Sequence, residues 1–134
     1  MHNITEFNRA CKAIFSALYD EFPVPIDITP EGVGFIEEFD IHEAPRVLFG
    51  ATMCFLADEQ FIIYDRGRDN MHLKSRARLT AKGLARLQRM PEGIQPQASP
   101  LIDRLRIATN SIGDQVSKTA TSETVSQVLK LIFA

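Results

Sequence analysis

Residues 61–90 constrain the fold most tightly: an apolar run, a polar turn, an alternating run and a helical pattern follow one another without a break. Phe61, Ile62, Ile63 and Tyr64 have the aromatic and β-branched make-up of a strand. Gly67 and the Asp69–Asn70 pair supply turn chemistry. Gly tolerates positive φ, and Asp and Asn bond to their own backbone. From Leu73 the pattern alternates. Leu73, Ser75, Ala77 and Leu79 share one face, and Lys74, Arg76 and Arg78 the other. Two strands joined by such a turn form a hairpin, here with one basic face. Thr80 then caps a helix that runs to Met90, with Leu84 and Leu87 facing inward. Lys82, Arg86 and Arg89 fall at i, i+4 and i+7 and so share the opposite side. Gly83, in the first turn, implies close approach of another backbone.

The same stretch carries most of the positive charge. Residues 1–65 hold three basic against twelve acidic residues, a balance of −9. Residues 66–89 hold eight basic residues against Asp69, a balance of +7. The remainder cancels, which leaves the net charge of −2. This asymmetry favours an anionic partner for one surface, or acidic and basic segments folded or stacked on each other.

A length of 134 residues fits one domain. No run approaches the roughly 18 apolar residues needed to span a membrane. The first residues lack the basic-then-apolar pattern of a secretory signal. Cys11 and Cys54 have no metal-like spacing and sit within apolar helical patterns, so they read as buried free thiols. A reducing, cytoplasmic setting is expected.

Ahead of the hairpin, Asn3 and Glu6 form a variant capping box. Ile4, Phe7, Cys11, Ile14, Phe15, Leu18 and Phe22 then keep helical spacing up to Pro23 and Pro25. The prolines restrict residues 24–28 to a short edge strand. Thr29-Pro30-Glu31 reads as the start of a short helix, although Gly32 and Gly34 weaken it. A further helix is expected over 44–59, with Val47, Leu48, Ala51, Phe55 and Leu56 inward. Its opposite face, Arg46, Phe49, Gly50, Met53 and Ala57, is largely apolar and would be outward. A helix apolar all round is normally covered on both sides. Leu101, Leu105, Ala108 and Ile112 predict a helix that ends at Gly113. A last helix, starting at Asp114 or Ser122, places Val125, Val128, Leu129 and Ile132 on one face, widened by Leu131 and Phe133.

The order helix, short strand, helix, helix, strand, turn, strand, helix resembles the winged-helix variant of the helix-turn-helix fold, known from small bacterial and phage proteins. Phe61-Ile62-Ile63-Tyr64, a charged turn and Arg78-Leu79-Thr80-Ala81-Lys82-Gly83-Leu84 carry the likeness, which spans residues 4–90. It implies a mainly α fold with a small β-hairpin. Residues 1–90 would be the winged-helix domain, 91–100 a linker, and 101–134 a C-terminal helical segment for packing or dimerisation. In DNA-binding members the third helix enters the major groove and the wing touches the backbone. Here Arg46 is the one residue on that helix suited to reading bases, and Glu43, Asp58 and Glu59 would repel phosphates.

Catalytic patterns are scarce. His2, His42 and His72 are isolated, Glu37 and Glu38 are adjacent and so do not face each other, and Gly32-Val33-Gly34 lacks the rest of a dinucleotide fingerprint. A non-enzymatic binding protein is expected, with neither cofactor nor metal. One partner class is nucleic acid, as for a transcriptional regulator, its backbone met by Arg46, Arg66, Arg68, Lys74, Arg76, Arg78, Lys82, Arg86 and Arg89. The alternative is another protein, in a bacterial or phage complex, gripped by Phe49, Gly50, Met53 and Ala57. A homodimer paired through Val125, Val128, Leu129, Ile132 and Phe133 fits either.

Overall fold

The computed structural model describes residues 2–68, 73–90, 99–109 and 124–134. They form a mainly helical molecule with one three-stranded antiparallel sheet. In order come α1 (His2–Glu21), β1 (Ile26–Ile28), α2 (Glu43–Asp58), β2 (Ile62–Asp65), a 3-10 turn (Arg66–Arg68), β3 (Lys74–Leu79), α3 (Ala81–Gln88), α4 (Leu101–Ile107) and α5 (Val125–Phe133). The sheet order is β1-β3-β2, so the short proline-flanked strand lies at an edge, as expected.

α1 is the spine. Ala10, Cys11, Ile14, Phe15 and Leu18 line its buried face. α2, β3, α4 and α5 all pack against it. The helix already includes Asn3, so the expected capping box does not form, and Glu6 instead pairs with Arg9 at 2.7 Å. The helix expected from Thr29 is a run of turns. The Thr29 hydroxyl accepts the Gly32 N–H at 2.8 Å, and the Pro30 carbonyl accepts the Phe35 N–H at 2.9 Å. Gly34 has φ +81, which ends any helical continuation there.

α2 is rotated from the expectation, although Leu56 is buried and Leu48 half-buried as expected. Phe49 and Met53 are fully buried, together with Leu56 and Thr52, while Val47, Ala51 and Phe55 face out. Both faces are apolar, so hydropathy alone could not orient the helix. Arg46 is buried on the same face as Phe49 and Met53, its guanidinium paired with Glu31 and donating to the Asp40 carbonyl at 3.0 Å. Phe49 then meets Phe35 at 5.5 Å between ring centroids.

β3 carries a bulge. Between Ile26↔Ala77 and Ile28↔Lys74 it takes three steps against two on β1. The same happens against β2 between Ile63↔Arg78 and Asp65↔Ser75. Arg76 sits at the irregularity with φ +55, and its N–H donates to the Asp27 carboxylate at 3.1 Å. One extra residue reverses facing on one side of the bulge. Lys74 therefore joins Ala77 and Leu79 on the buried face, not Arg76 on the exposed one.

The C-terminal segment shares this core. Val125, Val128, Leu129 and Ile132, proposed from sequence as a pairing surface, are buried within their own chain. Their stripe meets α1, α3 and α4, which leaves that face closed to a second copy. Phe133 centres an aromatic cluster, with its ring 5.2 Å from Phe61, 6.1 Å from Phe55, 6.3 Å from Phe15 and 6.4 Å from Phe7. α4 stops at Ile107, earlier than its sequence stripe, and Thr109 and Thr124 meet in a parallel bridge. Thr124 caps α5, its hydroxyl accepting from the Gln127 N–H. Residues 91–98 of the expected linker, and Ile112, Gly113, Asp114 and Ser122, lie outside the described residues.

Candidate functional site

Of the nine cations singled out from sequence, the eight with described side chains do not gather on one open ledge. Arg46 and Lys74 are buried, at 7% and 6% exposure. The Lys74 Nζ lies 3.4 Å from where a Gly50 Cβ would stand. Arg66 pairs with Asp58 at 2.8 Å and donates to the Cys54 carbonyl at 3.0 Å. The Asp58 hydrogen bond raises the Arg66 pKa above its ordinary value. Lys82 donates to the Glu59 carbonyl at 2.9 Å, just past the end of α2. Arg86 donates to the Ile132 carbonyl at 2.7 Å, and Arg89 to that of Leu131. These bonds cap the unsatisfied C-terminal carbonyls of α2 and α5, where positive charge also complements the helix dipole. Arg78 is half-buried and donates to the Leu79 carbonyl at 3.2 Å. The Arg76 side chain is exposed, while the Arg68 side chain lies outside the described residues.

The expected apolar face of α2 is likewise displaced. Phe49 and Met53 are in the core, and Gly50 and Ala57 are half-buried, so these four do not form a docking face. The cue for this was Gly50 itself. A glycine within a helix marks close approach, and Lys74 fills that position.

The exposed apolar surface is instead a groove between α1 and α2. Ile4 is 63% exposed, Val47 57% and Phe55 42%. With Phe7, Leu48 and Ala51 they line an open depression of about 690 Å³, bordered by Asn3, Glu43, Ala44 and Thr52. Phe7 and Phe55 close its floor edge-to-face at 5.4 Å. Val47, Ala51 and Phe55 follow i, i+4, i+8, so the α2 wall runs about 12 Å.

Beside the groove, residues 37–43 project a short hook. Phe39 and Ile41 are 89% and 87% exposed, and Phe39 has φ +68. Positive φ is unusual for an aromatic residue and persists only where its surroundings hold it. Asp40 provides that hold. Its carbonyl accepts from Arg46, and its carboxylate accepts the His42 backbone N–H at 2.9 Å and meets the His42 ring at 2.8 Å. The His42 backbone bond, then its ring, hold the Asp40 carboxyl below the usual carboxylate range.

Among the described residues no cluster of His, Cys, Asp or Glu is placed to hold a metal ion. Burial pushes the Cys11 thiol far above its ordinary pKa, which removes it as a nucleophile. Cys54, expected to be buried, is partly exposed. No described helix is long and apolar enough to cross a membrane. A second, smaller depression of about 430 Å³ lies along β2, lined in part by Arg66 and Asp58. No protein-family model, curated protein or solved structure matches the chain.

Proposed function

We propose that this chain is a non-catalytic binding protein that engages another protein through the α1–α2 groove. The observation that carries this reading is the contiguous exposed apolar lining, Ile4, Val47 and Phe55 around an open depression. Scattered apolar residues are ordinary on a surface, but contiguous ones rimmed by polar groups mark interaction sites. A photo-cross-linking benzophenone residue at Val47, in cells producing the chain, tests the proposal. A discrete adduct is expected from Val47, none from the exposed Lys130 on α5, and loss of the Val47 adduct in Phe55→Asp. Equal adducts from both positions, or none from Val47, would remove the reading.

A winged-helix-like frame is supported by the β1-β3-β2 strand order and by the hairpin that leads into α3, while the turns in place of the expected second helix depart from it. Within that frame, contact with nucleic-acid backbone is a second reading. The exposed Arg76 favours it, set outward on the sheet by the bulge. Titration with an unrelated duplex at two salt concentrations checks it. Binding that weakens steeply with salt is expected, and binding indifferent to salt excludes it.

A further inference from the structure

Building on the groove reading, we infer that the groove and the neighbouring hook together select a basic, amphipathic helical segment of the partner protein. Shape gives the first part. The depression lies between two helices, and its α2 wall presents Val47, Ala51 and Phe55 on successive turns. A helix laid in such a groove would present apolar residues at i, i+3/i+4 and i+7. Ile41 stands two residues before Glu43 at the groove's end, which places the two Cα atoms within about 7 Å. Ile41 therefore lies near the Glu43 end of the groove.

Charge gives the second part. The sequence has no Lys or Arg between Lys12 and Arg46, and the Arg46 guanidinium is already held by Glu31. Glu37, Glu38 and Glu43 are exposed and make no ion pair among the described residues. Glu37 and Glu38 open the hook, and Glu43 ends it and borders the groove. An apolar track with an acidic border attracts cationic residues and repels anionic ones. A second copy paired through the same groove about a two-fold axis would bring the same acidic border against it, and an anionic membrane would be repelled in the same way.

Conformation gives the third part. Phe39 is held at φ +68, with its ring turned away from the chain's own core. Its neighbour Asp40 is fixed by bonds from Arg46 and His42, so the hook is built before a partner arrives.

The test uses the full chain and two fluorescein-labelled model peptides of about five helical turns, one of leucine and lysine, the other of leucine and glutamate. Fluorescence anisotropy is expected to show binding of the lysine peptide and none of the glutamate peptide. The combined variant Glu37→Gln, Glu38→Gln, Glu43→Gln should weaken lysine-peptide binding about tenfold. Val47→Asp should abolish it, with circular dichroism confirming that both variants stay folded. Equal binding of both peptides, lost in Val47→Asp, would overturn the charge selection and leave the groove reading standing. Lysine-peptide binding unaffected by Val47→Asp would overturn the groove and the inference together. So would absence of peptide binding alongside adsorption to phosphatidylcholine vesicles that Phe39→Ser removes. A dimer seen by sedimentation and broken by Val47→Asp, with no peptide bound, would assign the groove to a second copy instead.

Discussion

At Gly83 a side chain of any size collides with the backbone: a Cβ there would lie 2.1 Å from the Phe61 carbonyl oxygen. Thr80 fixes that approach. Its hydroxyl donates to the Gln60 carbonyl at 2.6 Å and accepts the Gly83 N–H at 3.0 Å, so the cap and the strand crossing form one junction. Gly83→Ala is therefore expected to destabilise the fold by about 2–4 kcal/mol, against the usual gain from replacing a helical glycine. The shift of the urea midpoint measures this. Gly83 was legible in the sequence because a glycine in a helical first turn has no propensity reason to be there. Arg46 was not. Its partner Glu31 lies fifteen residues away on a different element, and nothing local announces the pair.

The elements themselves show where one-dimensional patterns succeed and fail. α1 and α3 follow their periodicity, because each has one apolar side and one polar side. α2 has two apolar sides, so its rotation was set by packing partners absent from the pattern. That rotation hid the groove: Val47, Ala51 and Phe55 had been assigned to the core. In β3 the alternation is perfect in the letters and broken in space. Lys74 and Arg76 are equivalent by sequence parity, yet the bulge buries one and exposes the other. Among the described side chains, the hairpin's value to a nucleic acid therefore rests on Arg76 and its half-buried neighbour Arg78, fewer contacts than eight cations imply. If the second reading holds, Arg76→Ala with Arg78→Ala should lower the slope of log affinity against log salt by about two. An unchanged slope would show that the sheet face carries no phosphate.

Across the whole molecule, much of the cationic charge of residues 66–89 serves internal joints, which its clustering in the sequence did not reveal. Beyond Arg66, Lys82, Arg86 and Arg89, the same device appears elsewhere. Lys12 donates to the Ala108 carbonyl at the end of α4 at 2.7 Å, and Arg106 to the Ser16 carbonyl near the end of α1 at 3.0 Å. Burial lowers the Lys12 pKa from its ordinary value. Charge asymmetry is countable in a sequence, but carbonyl acceptors appear only once helices end beside one another. The C-terminal segment is similarly bound in. With Phe133 among four other phenylalanine rings, Phe133→Ala is expected to cost about 2–3 kcal/mol. Unfolding should remain a single transition, because α5 and α1 contribute to one core. Far-ultraviolet circular dichroism and near-ultraviolet tyrosine absorbance, followed through the same urea series, check both points.

The Thr109–Thr124 bridge has an engineering consequence. The Val125 N–H donates to the Thr109 carbonyl at 2.9 Å, which ties the two feet of an arch together whatever path the intervening residues take. Doubling the span between those feet would add only about 0.6 kcal/mol of closure entropy.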